Sequence, residues 1–121
     1  MREIDTGEIG LLTKKLLIEA NYVLSDDIKG AIDTAAVTET VPQSREILEI
    51  LRQNYIKSEE MVYPLCQDTG MAIVFIKIGQ EVYLKGEYLS DAVNKGIAAA
   101  YKEGYLRSSV VGHPLTRKNT G

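Results

Sequence analysis

The stretch Ala72-Ile73-Val74-Phe75-Ile76-Lys77-Ile78-Gly79-Gln80-Glu81-Val82-Tyr83-Leu84-Lys85 decides the fold class. Residues 72–78 are short, β-branched and apolar on both faces, which predicts a buried strand. Gly79-Gln80 has the Gly-X form of a two-residue type II′ turn, and Glu81 to Lys85 alternates as a return strand. The expectation is a β-hairpin. Helical periodicity lies on either side of it. Thr6 can cap a first helix with its hydroxyl on the N–H of Glu8 or Ile9, and Ile9, Leu12, Leu16 and Ala20 follow on one face. Ser25-Asp26-Asp27 opens a second, with Ile28, Ala31, Ile32 and Ala35. Pro42 suits the first turn of a third, which carries Ile47, Leu48, Leu51 and Tyr55. After the hairpin, Ser90-Asp91 starts a fourth helix with Val93, Ile97, Ala100 and Tyr101 on one face and Gly104 as C-cap. Its small residues, Gly96, Ala98, Ala99 and Ala100, allow another element to approach closely. The order is not the alternation of a doubly wound sheet, so the predicted class is α+β: three N-terminal helices, a β-hairpin, and a fourth helix packed on it.

Composition narrows the function classes. A chain of 121 residues is one domain or a piece of one. With 14 Lys plus Arg against 17 Asp plus Glu, the net charge of −3 offers no basic excess for a nucleic-acid backbone. The longest apolar run, Met71 to Ile76, is far short of the ~20 residues of a membrane span, and Met1 to Asp5 has no signal-peptide core. A cytoplasmic protein with neither nucleic-acid nor membrane partners is expected. The one cysteine, Cys66, excludes an internal disulfide. The chain closes on the polar run Arg117-Lys118-Asn119-Thr120-Gly121, which reads as the middle of a turn, so a truncated piece of a longer protein is expected.

Three segments carry candidate chemistry. Pro64-Leu65-Cys66-Gln67-Asp68-Thr69-Gly70 places a thiol, an amide, a carboxylate and a hydroxyl in one loop leading into the predicted strand. A lone cysteine is more often a small buried hydrophobe than a ligand, and Gln-Asp-Thr-Gly also makes an ordinary turn. Tyr105-Leu106-Arg107-Ser108-Ser109 offers Arg107, whose forked guanidinium suits a carboxylate better than Lys does, although a single arginine is by default solvated. Arg117 and Lys118 can face an anion or lie in water, and His113 before Pro114 has no feature of a base. Neither a phosphate loop nor a dinucleotide fingerprint is present.

Taken in order, Leu65 to Ala72, Gly79-Gln80-Glu81-Val82, Tyr101 to Val111 and Pro114 to Gly121 resemble the α-subunit or N-terminal part of class I fumarate hydratases, a pattern that L(+)-tartrate dehydratase α-subunits share. The resemblance runs from about Val62 to the last residue. It implies the N-terminal part, residues 1–121, of an α-subunit catalytic domain of an iron–sulfur hydro-lyase that adds or removes water across a four-carbon dicarboxylate, with fumarate and L-malate as the expected substrate pair. Three cysteines of the family hold a [4Fe–4S] cluster whose fourth iron binds substrate as a Lewis acid. Cys66 matches the first of these. By the same matching Gln67 and Asp68 belong to the substrate loop, Asp68 is the catalytic candidate that orients the hydroxide, and Arg107 holds a substrate carboxylate. The other cluster cysteines are not in this chain, so the fragment is expected to be inactive alone. The remainder of the α-subunit and a β-subunit are the implied partners, in an oligomer. Two positions depart from the family: His113 stands where relatives often carry an acid, and Met71 where a small polar residue is frequent.

Overall fold

The computed structural model describes residues 1–67 and 71–120 of the chain. The elements run β1 (Arg2–Asp5), α1 (Thr6–Tyr22), α2 (Asp26–Thr38), α3 (Pro42–Glu59), β2 (Val82–Lys85) and α4 (Leu89–Glu103). They form two compact units: one from Met1–Ile18 with the described part of Asp68–Gly121, the other Glu19–Gln67.

In the first unit β1 and β2 pair in parallel, Arg2 against Val82 through Asp5 against Lys85. The predicted α+β class holds, but the hairpin does not form. Residues 72–78 are extended chain without a strand partner among the described residues, and they are mostly exposed. The Gly79 turn is present, its carbonyl accepting the Val82 N–H at 3.2 Å. Beyond that turn β2 gives its ladder to the N-terminus instead, beginning with Arg2 N–H to the Glu81 carbonyl at 2.8 Å. A four-residue strand has few ladder bonds to share, and pairing with β1 brings Ile4 beside Leu84 while the chain turns directly into α1.

That corner explains Thr6. It is the first residue of α1 and does not cap it. The carboxylate of Asp5 accepts the Gly7 N–H at 2.7 Å in the capping role. The fully buried Thr6 hydroxyl instead reaches the carbonyls of Lys85 (3.2 Å) and Glu87 (3.0 Å), tying α1 to the link between β2 and α4. Gly86 in that link has φ +111°, and a Cβ there would stand 2.7 Å from the Thr6 hydroxyl oxygen. Both backbone angle and space demand glycine.

The fourth helix packs on α1, not on a hairpin. Ala92, Val93, Gly96 and Ala100 are its buried residues, with Ile97 and Tyr101 half-buried beside them. A Cβ on Gly10 would lie 2.6 Å from the Ala92 carbonyl oxygen, and one on Gly96 would overlap the Gly10 carbonyl. The small residues Gly10 and Gly96 thus bring two helix backbones into contact, the close approach that the small size of Gly96 allows. Lys14 and Glu103 close the same pair at the surface with a 2.9 Å ion pair.

In the second unit α2 and α3 pack as a helical pair. Pro42 begins α3 as expected from its missing N–H. Asp33 on α2 accepts the Tyr55 hydroxyl at 2.6 Å and the Arg52 Nε at 3.0 Å. The wholly buried Ser58 donates to the Tyr22 carbonyl at 2.7 Å, holding α3 against the end of α1.

Candidate functional site

The loop that carries Cys66 is stapled at its backbone. Leu65 N–H donates to the Asn21 carbonyl at 2.8 Å, and Cys66 N–H to the Asn54 side-chain oxygen at 2.9 Å. Asn54 sits inside α3, where asparagine is a poor helix former; its bond to the loop is the reason for its place. The Cys66 thiol is left free and exposed, and Gln67 beside it is half-buried. This removes the reading of Cys66 as a buried structural hydrophobe. Asp68 lies outside the described residues.

Arg107 belongs to the other unit, just past α4. Gly104 ends that helix with φ −87°, so it is not the left-handed residue; Tyr105 is, at φ +52°. Glycine is needed at 104 for space, since a Cβ would lie 2.8 Å from the Ala100 carbonyl oxygen. Leu106 N–H returns to the Tyr101 carbonyl at 3.0 Å, the Schellman pattern, and its side chain is buried. With Leu106 as anchor, Arg107 is presented at the surface. Non-glycine residues seldom take positive φ, and one here re-aims the chain between helix and motif.

The third motif folds back on the second. Val111 and Asn119 form an antiparallel bridge, Gly112 N–H reaches the Lys118 carbonyl and Thr120 N–H the Val110 carbonyl, both at 3.0 Å. Asn119 donates its amide to the Ser108 carbonyl at 2.6 Å. Arg117 takes φ +52° at the tip, its N–H on the His113 carbonyl. His113 Nδ1 accepts the Leu115 N–H at 3.2 Å, so this imidazole nitrogen serves the turn. Within the first unit a small cavity of about 130 Å³ is lined by Met71 and Ala72, by Ser109 and Thr120 of the second and third motifs, and by Ile97 and Tyr101 of α4; Cys66, Gln67 and Arg107 do not line it. The Ser109 hydroxyl oxygen is shut from solvent and has no hydrogen-bond partner among the described residues. Buried hydroxyls are normally satisfied, which marks this as a place for a water or a ligand group.

Among the described residues, no shifted titrating group is one of the candidate site residues. The Asp33 carboxyl is held below its ordinary range by the Tyr55 hydroxyl first and Arg52 next, while Lys29 is raised by its bond to Glu59. Sequence reasoning missed Asn54, Asn119 and the unsatisfied Ser109. A helix-interior asparagine is the one signal that pointed to the first.

Comparison with known proteins gives the family. The sequence profile of the fumarate hydratase (fumerase) family matches residues 11–121. The chain is 38% identical over 107 residues to a putative L(+)-tartrate dehydratase subunit alpha of Methanocaldococcus jannaschii, covering 87% of this chain and 37% of the relative. It is 32% identical over 108 residues to a putative fumarate hydratase class I of Geobacillus stearothermophilus, covering 88% of this chain and 20% of that protein. An L(+)-tartrate dehydratase subunit alpha of Escherichia coli is 29% identical over 101 residues, 81% of this chain and 33% of that protein. The class so defined is that of hydro-lyases. The chain belongs to the fumarate hydratase family. It spans about a third or less of the length of these relatives, and the match takes in the leading helices that the motifs leave unassigned.

Proposed function

We propose that the chain is the N-terminal part of the α-subunit of a [4Fe–4S]-dependent hydro-lyase interconverting fumarate and L-malate in the cytoplasm. The match of the fumarate hydratase family to residues 11–121 is the observation that carries this reading. Arg107 takes a substrate carboxylate through paired N–H bonds. Gln67 and Asp68 form the substrate loop, where Asp68 accepts a hydrogen bond from the hydroxyl that is added or removed. The exposed Cys66 supplies one thiolate. A cubane of this kind takes three, and the chain has a single cysteine, so these residues alone do not fit the cluster. Its other ligands come from outside residues 1–121, and the chain alone is inactive. A β-subunit completes the oligomer, in keeping with relatives named subunit alpha.

A second reading, an L(+)-tartrate dehydratase α-subunit, is favoured by the names of those same relatives. The test is the complete polypeptide carrying this sequence, co-expressed with its partner subunit, loaded anaerobically with iron and sulfide, and assayed on both substrates. Fumarate hydration is expected. Turnover of tartrate alone moves the assignment to the second reading, and a loaded complex that turns over neither overturns both in favour of a non-enzymatic interaction domain.

A further inference from the structure

We propose that residues 72–78 form an interior β-strand of the assembled protein, covered by a strand-bearing segment of the polypeptide that the longer family members carry outside the matched region. The composition demands burial: Ile73, Val74, Phe75, Ile76 and Ile78 flank one charge, Lys77. Exposure alternates as an extended chain requires, with Ile73 at 72% and Phe75 at 93% on one face, and Val74 at 41%, Ile76 at 44% and Ile78 at 46% on the other. Residues Val74 to Ile78 line a groove of about 470 Å³ together with Ile4 of β1 and Leu12 and Leu16 of α1, both leucines themselves exposed. No backbone N–H or C=O of residues 72–78 bonds to another described residue. An unpaired, flat, apolar strand is a template for another chain, and isolated proteins seldom leave one open.

Two occupants offer a ladder: a second copy and further polypeptide. A second copy pairing across a twofold axis satisfies one edge of the strand but leaves the groove and the outer face to water. Covering both faces and an edge takes several elements. The M. jannaschii relative has polypeptide to spare for this, since the match occupies only 37% of its length. Further polypeptide is therefore the occupant.

The experiment compares hydrogen exchange of peptides spanning 72–78 in the isolated chain and in a chimera in which this chain replaces the matched part of the M. jannaschii subunit. Exchange at least 100-fold slower in the chimera is expected, against near-intrinsic exchange in the isolated chain. Fast exchange in a chimera whose α1 and α4 amides are protected overturns the proposal. So does concentration-dependent protection in the isolated chain, which assigns the surface to a second copy. Where the chimera is insoluble, the corresponding segment of the intact relative is measured, and fast exchange there overturns it equally. A second variant, Phe75→Asp, should leave the melting of the isolated chain unchanged and abolish protection in the chimera. No activity is read, so the outcome is independent of the hydro-lyase assignment.

Discussion

Replacing Gly96 by alanine sets two effects of opposite sign against each other. Helix propensity favours alanine by about 1 kcal/mol in a helix interior. Packing opposes it: the new Cβ would overlap the Gly10 carbonyl oxygen, lie 3.0 Å from that carbonyl carbon and 3.2 Å from the Thr13 Cβ. The first two atoms are backbone of α1 and cannot rotate away, so the helices must separate, at the roughly 1–3 kcal/mol typical of an overpacked core. Separation also loosens the buried contacts of Ala92 and Ala100 around it. The clash less the propensity gain leaves a net destabilisation of about 0–2 kcal/mol, and the loosened contacts move it to the upper part of that range. Gly30 in α2 is the internal control, because nothing lies within 4 Å of a Cβ built there. Gly30→Ala should stabilise by about 0.5–1 kcal/mol through propensity alone. Thermal and urea unfolding followed by circular dichroism at 222 nm reads both, with shifts of about 4 °C per kcal/mol and of opposite direction. A Gly96→Ala chain as stable as its parent would refute the backbone contact between α1 and α4.

Thr6→Val removes the hydroxyl bonded to Lys85 and Glu87 while keeping shape, and should cost about 1 kcal/mol because two part-buried carbonyls lose the donor they share; Thr6→Ser should retain most of the stability in the same melts. The depressed Asp33 carboxyl contributes stability that is fully present above its unfolded value and is lost as pH falls through its lowered folded value. Tyr55→Phe should move the Asp33 titration, followed by carboxyl-carbon NMR, back towards 3.8, and an unmoved titration would mean that the 2.6 Å bond is not its cause. On the proposed reading, Cys66→Ser in the complete protein should lower bound iron with little change in the unfolding of this domain, since the loop is held through the Cys66 backbone; iron retained in full would contradict the proposed role as ligand. Arg107→Lys should raise KM and lower kcat with the cluster spectrum intact, and a bleached spectrum would make Arg107 structural.

The helices were legible because their signals are local. Pro42, the Asp26-Asp27 start and the Gly104 stop each act within one turn of the chain, and the structure uses all three. The hairpin was misread because its decisive term is not local. Gly79-Gln80 and the apolar run before it support a hairpin, yet β2 is taken by Arg2-Glu3-Ile4-Asp5, a segment with no alternation to advertise a strand. Thr6 was misread for the same reason: its hydroxyl serves carbonyls nearly eighty residues away in sequence, and a distant partner leaves no trace beside a threonine. Long-range pairing of this kind is what periodicity cannot rank.

For the site, the motifs were legible as chemistry but not as an assembly. Cys66, Gln67 and Arg107 stand out by residue type, and nothing in their spacing shows that Asn54 fixes the first loop or that Asn119 folds the last motif onto Ser108. These two amides act on backbone groups, one N–H and one carbonyl, so they position their loops and leave the Cys66 and Arg107 side chains outside the bonds they make. Each loop is thereby held through its backbone. A strand apolar on both faces costs free energy while exposed, and it persists in a sequence only where something buries it. Under the proposed reading, the single cysteine and the unpaired apolar run make one demand, for polypeptide that contributes ligands to one and a ladder to the other.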